Sequence, residues 1–401
     1  MWYDAAVKET VIVKAGREKS LALRHPWILS GAIDGVRGNP GTGALVRVAD
    51  RKGNTLGWGF YNPASTIPVR LVAWGNAPLQ ADFWKRALRR AIKGRELLER
   101  DPDLTAYRLV YSESDGLPGL IVDRYGDFLV LQTLNPGMEE LKAAIAEFLM
   151  ETLPARGIVE KNDGQSRRRE GLPQRVGLLI GEPPPESIEI LENGLRFLVD
   201  PLRGQKTGFY LDQRENRDLA ARYAGGKKVL DAFSYTGGFS VYCARAGAAA
   251  LIRADASRDA LARGQRNLSL NGLSRVPDNP IRDNVFQLLR TFRDAGRRFD
   301  MIILDPPKLA ATVAQREKAA RGYKDINLLA LKLLSPGGIL VTFSCSGGID
   351  AAAFERILSW AAKDARRTVQ VLHRLHQGPD HPVRLSFPEA AYLKGLLCRV
   401  W

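Results

Sequence analysis

Two side chains in this sequence stand where apolar runs end, and both could do chemistry there. In "VTFSCSGG" (341–348), Cys345 follows a run that reads as a buried strand, and a glycine pair closes it. In "FDMIILDPPK" (299–308), Asp305 ends a second run and precedes Pro306 and Pro307, which fix φ and remove two amide donors. If the runs are neighbouring parallel strands, Asp305 and Cys345 share one crevice at the carboxyl edge of a sheet. A thiolate there can add to carbon 6 of a cytosine, turning the ring into an enamine whose carbon 5 then attacks a sulfonium methyl. Negative charge building at N3 needs a donor, which Asp305 supplies if burial holds it neutral. The thiol must ionise from about 8.5, helped by amides of the turn or nearby Lys and Arg. The alternative for Cys345 is a small core residue, and the sequence leaves both readings open. Asp-Pro-Pro-aromatic sequences belong to enzymes that methylate exocyclic amines. Here Lys308 stands in the aromatic position, so a different target atom comes into consideration.

A methyl donor would need its own site, and three strand ends offer one. "VLDAFSYTGGF" (229–239) reads as a strand ending at Asp231, a turn with Gly237 and Gly238, and a helix start near Phe239. It matches neither G-x-G-x-x-G nor the P-loop, the patterns that cradle pyrophosphate on bare amides. An acid such as Asp231 instead suits the ammonium and sulfonium of S-adenosylmethionine. "LIRADAS" (251–257) ends with Asp255, an acid able to hold both ribose hydroxyls or to cap the helix that follows. "IRDNVF" (281–286) brings Asp283 and Asn284 to the place where adenine would be read.

Elements must hold these groups in place. From about residue 190, "KKVLDAF", "AALIRAD", "FDMIILDPP" and "GGILVTFSC" alternate with helix-like segments, which predicts a doubly wound parallel sheet. The first 75 residues are β-rich, with Gly, Asn and Pro between short runs, and read as a small barrel. Between them, "DFWKRALRRAIKGRELLER" (82–100) puts Phe83, Trp84, Ala87, Leu88, Ala91 and Ile92 on one helical face, with Asp82 as its N-cap. Strand signals over 108–134, a helix near 138–152 and the Pro-rich "GEPPPES" (181–187) complete a middle α+β part. The expected domains are therefore 1–75, 76–190 and 191–401.

The chain has 401 residues, of which 59 Lys and Arg face 44 Asp and Glu, a net charge of +15. Much of the excess lies in 14–27, 85–95 and 165–171, which points to a polyanionic partner. Lys14, Arg17, Lys19 and Arg24 in the first segment, flanking His25-Pro26-Trp27, are the candidate phosphate contacts, joined by Lys308. No run approaches the roughly 20 apolar residues of a membrane helix, so no membrane is expected. "MWYDAAVKET" carries charges where a secretory leader would be apolar, and three scattered cysteines suggest no disulfide framework. Both point to the cytoplasm. His373, His376 and His381 lack the ligands that would complete a metal set and read as a structural turn, so no metal is expected. Cys243 and Cys398 read as core.

Taken together, these strings resemble the bacterial 23S ribosomal RNA cytosine-5 methyltransferases that carry an N-terminal PUA domain. The likeness runs through "GREKSLALRHPWILSGAI", "ESDGLPGLIVDRYGDFLVLQ", "GQKTGFYLDQRENR" (204–217), "FSYTGGF", "LDPPK", "RGYKDINLLALKLL", "TFSCSG" and "FPEAAYLKGLLCRV". It implies a multidomain α/β protein with a PUA-like β-barrel, a central α+β domain and a Rossmann-like class I methyltransferase domain using S-adenosylmethionine. It further implies Cys345 as the nucleophile and Asp305 at the base edge. Phe233, Ser234, Tyr235, Thr236 and Gly237 fall on the methionine-side loop, and Asp255 on the ribose acid. Lys206, Thr207 and Asp212 fall on a segment packed over the cofactor. Two positions depart from the family. Asn284 stands where relatives have Asp, leaving its amide oxygen to meet adenine, and Arg253 enters the second strand. No cysteine lies at 305–309, so the chain resembles the single-cysteine kind. The partner implied is 23S rRNA, with the target base flipped or unpaired, and a homodimer is left open. The rival readings are an amine-directed methyltransferase and an RNA-binding protein without catalysis.

Overall fold

The structure, a computed structural model, describes residues 7–310 and 315–401. The first six residues of the stretch read for a leader lie outside the described residues. The chain forms two compact units. One takes the chain up to Ile190 together with Val199–Leu211 and Asp380–Ala390; the other takes Leu191–Leu198, Asp212–Pro379 and Ala391–Trp401. Two excursions, 199–211 and 380–390, therefore return to the first unit, which a division at single points along the chain does not express.

The first unit holds two sheets. Six strands between Thr10 and Trp74 form one, whose inward residues Val11, Val13, Val46, Val48, Val69 and Leu71 are fully buried. The alternation of "LVRVA" does this directly, turning Val46 and Val48 inward and leaving Leu45 and Arg47 half-buried between them. Five strands between Ala106 and Gly181 form the other. The helix Phe83–Lys93 buries Phe83, Trp84, Ala87, Leu88 and Ala91 of the apolar face expected of it, and leaves Ile92 half-buried. Asp82 stands at its N-cap position but its side chain caps nothing; it lies 3.5 Å from Arg86 instead. Arg70 joins the sheets, reaching Glu113 at 3.0 Å and Glu170 at 2.8 Å. In "QSRRREG" the three arginines divide. Arg168 and Arg169 are exposed, whereas Arg167 is fully buried and donates to Glu139 and to the Thr133 and Pro173 carbonyls.

The second unit carries a seven-stranded sheet. Its strands are β1 (Lys228–Ala232), β2 (Ala250–Asp255), β3 (Asp278–Arg282), β4 (Phe299–Leu304), β5 (Leu334–Ser344), β6 (Val369–Leu375) and β7 (Lys394–Val400). The order is β3-β2-β1-β4-β5-β7-β6, parallel from β3 to β5, with β7 antiparallel to both β5 and β6. Crossovers run through α1 (Gly238–Arg245), α2 (Arg258–Leu270), α3 (Val285–Asp294), α4 (Arg316–Leu333) and α5 (Ala351–Ala365). This is the doubly wound parallel sheet that the strand–helix rhythm predicts. Strands covered on both faces must be apolar throughout, and Met301, Ile302, Ile303 and Leu304 are all fully buried. Among the described residues no helix is long and apolar enough to cross a membrane.

Arg253, which the sequence did not account for, is a cross-brace. Fully buried in β2, it grips Asp278 of β3 through two hydrogen bonds of 2.9 and 2.6 Å. Its remaining donors reach the Leu261 carbonyl and Gln265 of α2 at 3.0 and 3.1 Å. The substitution Asp278→Ala leaves that guanidinium buried without its counter-charge. It should cost about 3–5 kcal/mol in urea denaturation, whereas the joint change Arg253→Met with Asp278→Leu should recover most of the loss.

Candidate active site

The loop leaving β1 is built for close approach. Phe233, Tyr235 and Gly237 have φ of +65°, +47° and +74°. Left-handed backbone at two side-chain-bearing residues costs on the order of 1 kcal/mol each, so neighbours must impose it. They do: Ser234 N donates to the Ala254 carbonyl at 3.0 Å, and Tyr235 N to Asp255 Oδ2 at 2.9 Å. Gly238 has no room for a side chain, since a Cβ would stand 2.6 Å from Arg217 Nε. Ser234 Oγ and Thr236 Oγ1 are buried, and neither finds a hydrogen-bond partner among the described residues. Two such hydroxyls on one short loop suit a polar ligand seated against it.

The acids around this loop take different parts. Asp231 is buried, and its Oδ2 accepts from Ser240 N at 3.1 Å and Ser240 Oγ at 2.6 Å, anchoring α1. Burial pushes its carboxyl up to about 6, with Ser240 and Arg253 pulling the other way. Asp255 is half-buried and holds two turns, its Oδ1 accepting from Ser257 N at 2.9 Å. The cap of α2 is Ser257, whose Oγ accepts from Ala260 N, rather than Asp255. Asp283 and Asn284 are exposed; Asn284 Oδ1 accepts from Phe286 N at 3.0 Å and so caps α3, a task the sequence reading did not give it. Phe233 and Phe286 meet edge to face, 5.4 Å between centroids.

Asp305 and Cys345 end β4 and β5, which pair in parallel with Leu304 opposite Thr342, so the crevice-forming pair of strands exists as expected. Asp305 is half-buried, and Gln213 Nε2 donates to its Oδ2 at 3.0 Å. Gln213 Oε1 in turn accepts from Asn216 at 2.6 Å. Cys345 is partly exposed, whereas Cys243 and Cys398 are fully buried. Burial pushes the Cys243 thiol far up and the Cys398 thiol up to about 12. Ser346 ties the two turns together: its Oγ accepts from Ala310 N at 3.1 Å and bonds the Tyr323 hydroxyl at 2.9 Å. Gln213, Ser346 and Tyr323 escaped the sequence reading because their partners lie 23 to 92 residues away, beyond any local pattern.

Asp212 is buried in the second unit, where the Tyr392 hydroxyl donates to its Oδ2. Lys206 and Thr207 belong to the first unit, Lys206 Nζ lying 4.2 Å from the Tyr210 ring centroid and Thr207 Oγ1 donating to Asp123 at 2.5 Å. Lys14, Arg17, Lys19, Arg24 and Lys308 are exposed, Lys14 donating to the Gly31 carbonyl at 3.1 Å. His373 bonds the Tyr223 hydroxyl at 2.7 Å and His376 the Gln377 carbonyl at 2.9 Å, while His381 lies in the first unit beside Asp380.

Comparison with known proteins adds identity to this geometry. A family model described as S-adenosylmethionine-dependent methyltransferase matches residues 121–399, and one described as PUA-like domain matches residues 11–74. The chain is 48% identical over 391 residues to "Ribosomal RNA large subunit methyltransferase I" of Shewanella denitrificans, covering 97% of this chain and 98% of that protein. It is 45% identical to the protein of the same name from Photobacterium profundum, covering 98% and 99%. Among solved structures, one described as a SAM-dependent methyltransferase from Streptococcus mutans superposes with a TM-score of 0.85 at 23% identity, covering 97% of this chain and 99% of that one. Another, a methyltransferase complexed with SAH, gives 0.85 at 22% over the same shares. At those identities the structures establish the fold.

The burial pattern sorts the three thiols. Native protein should release one equivalent of thionitrobenzoate from Ellman's reagent within minutes, and the Cys345→Ala variant essentially none. Rapid reaction of two or more thiols in folded wild type would contradict the packing around Cys243 and Cys398.

Proposed function

This chain belongs to the S-adenosylmethionine-dependent methyltransferases that carry a PUA-like N-terminal domain, and from that membership we propose that it methylates carbon 5 of a cytosine in 23S rRNA through a covalent Cys345 adduct. Bound S-adenosylmethionine supplies a sulfonium methyl open to nucleophilic attack. The residues present suit it. Asp255 has lone pairs left for the ribose hydroxyls, and the unpartnered Ser234 and Thr236 hydroxyls line the loop where the amino-acid portion would lie. Phe233 and Phe286 offer apolar surface beside Asn284, whose amide oxygen keeps one lone pair once the helix cap is made. Asp231 acts from behind, fixing the start of α1 and lending negative charge to a cationic ligand. Lys206, Thr207 and Asp212 are offered as further contacts on the family likeness alone.

On the substrate side, Cys345 Sγ bonds to C6 of the cytosine, and the C5–C6 π electrons pass into the ring toward N3. Asp305, its Oδ2 steadied by Gln213, meets the base edge at N3 and the exocyclic amine. The resulting enamine carries electron density to C5, where the methyl would be taken up as its bond to the sulfonium breaks and that electron pair stays on sulfur as a thioether. Loss of the C5 proton to water then re-forms the C5–C6 double bond, breaks the C6–S bond and releases Cys345 as the thiolate. Phosphates of the rRNA meet exposed cations: Lys14, Arg17, Lys19 and Arg24 on the first unit, and Lys308 on the second. The observation that carries the reading is the placement of the one partly exposed thiol at the end of the strand paired with that of Asp305.

The decisive assay transfers labelled methyl to rRNA lacking its modifications, followed by digestion and mass analysis. Wild type should yield 5-methylcytosine, and Cys345→Ala should lose at least a thousandfold. Equal product from both would return Cys345 to a packing role, and an N-methylated base would move the reading to amine chemistry. Asp255→Ala should weaken S-adenosylmethionine and S-adenosylhomocysteine alike, by about 10- to 100-fold, because charge-assisted hydrogen bonds of ~1.5–3 kcal/mol are lost to a ribose both share. Calorimetric titration of the two ligands checks this.

A further inference from the structure

One ammonium is fixed to the carbonyl of the residue that follows Cys345. Lys394 opens β7 and pairs in register with Ser344, the residue before the cysteine. Its Nζ donates to the carbonyl of Ser346, the residue after, at 2.9 Å, and to that of Tyr392 at 2.7 Å. Two of its three donors thus go to neutral carbonyls, which fix the head group without cancelling its charge. The charged and titratable groups gathered there are few. Lys308 comes from the turn after β4, and Asp350 from the cap of α5, where its carboxylate accepts from Ala353 N at 2.7 Å. Tyr323 of α4 is half-committed to Ser346, and burial keeps its phenol neutral. Asp305, at the end of the neighbouring strand β4, adds a second carboxylate, so two cations stand against two acids, and of the cations only the Lys394 head group is fixed, among the described residues, by carbonyls beside Cys345.

We propose that Lys394 is a positioning residue that holds Cys345 as the thiolate, the thiol proton leaving to solvent; this rests on Cys345 being the nucleophile of the reaction proposed above. Burial works against charge on Lys394, and the Cys345 thiolate works to keep it, with Lys308 opposing and Asp350 assisting. Such coupling is mutual: an ammonium favoured by a thiolate favours that thiolate in return. Lysine suits the role as a compact point charge on a stem long enough to reach past the strand end.

The test is the rate of iodoacetamide alkylation of the full chain against pH, with Cys345→Ala as the blank. Wild type should show a midpoint clearly below the usual value of about 8.5. Lys394→Met and Lys394→Gln should raise the midpoint by at least about one pH unit, slowing alkylation at pH 7 about tenfold while leaving the limiting rate at high pH unchanged. Lys394→Arg should restore most of the shift. Methyl transfer by Lys394→Gln should fall with the thiolate fraction at pH 7 and recover as the pH is raised. An unmoved midpoint with methyl transfer lost would make the lysine a brace for two turns and overturn the proposal. Should both neutral variants fail to fold, a wild-type midpoint at or above 8.5 would overturn it alone. Alkylation needs no RNA, so it is separate from the nucleophile reading. If Cys345→Ala still formed 5-methylcytosine, that reading would fail even where the midpoint moved with Lys394.

Discussion

Polar groups inside a parallel sheet must find partners, because an unmet donor or a lone charge there costs several kcal/mol. In the second unit several of those partners lie on neighbouring strands and on the helices and turns between them. Asp231 is satisfied by Ser240 at the start of α1, Arg253 by Asp278 and α2, and Ser346 by Ala310 and Tyr323. The first ties β1 to the helix that follows it, the second ties β2 to β3 and α2, and the third ties the turn after β5 to the segment that leaves β4. The edge is therefore held by the groups the core cannot leave alone, and Asp255, Asp305 and Cys345 are presented from a rigid frame.

Asp231 shows what this arrangement asks of the fold. Its carboxyl ordinarily titrates near 3.8 and is pushed up to about 6 chiefly by burial. The folded chain thus holds this proton more tightly than the unfolded one. Stability from this group is gained as pH falls from above 6 toward 3.8, and keeping the charge at neutral pH works against folding. The two Ser240 hydrogen bonds and the nearby Arg253 offset part of that cost. What remains of the cost is carried by the rest of the fold.

What the sequence disclosed and what it hid divide along one line. Periodicity within a few residues was readable: the buried runs of β1, β4 and β5, the apolar face of the helix Phe83–Lys93, and an acid at the end of β2. The partner of a polar residue, set by distant chain segments, was not. "QSRRREG" looks uniformly basic, yet Arg167 is enclosed by Thr133, Glu139 and Pro173, positions that no local pattern couples to it. Asp82 has the residue type of a helix cap, but its side chain lies by Arg86 instead. The return of Asp380–Ala390 to the first unit was equally invisible, because each residue there looks like an ordinary loop.

The cysteines make the same point at a single pair of strands. Cys398 lies in β7 opposite Leu340 of β5, within the sheet, and burial pushes its thiol up to about 12. Cys345 lies one residue beyond the last strand residue of that same β5, and it alone of the three is partly exposed. Both belong to stretches that read as apolar and strand-like, so composition could not separate a core thiol from a presented one. The end of the ladder separates them. A strand that continued two residues further would draw Cys345 into the pairing and toward the surroundings that silence Cys398. The glycines at 347 and 348, with Asp350 capping α5 just beyond, turn the chain away before that happens. The exposure of the thiol is thus decided by where the backbone stops pairing.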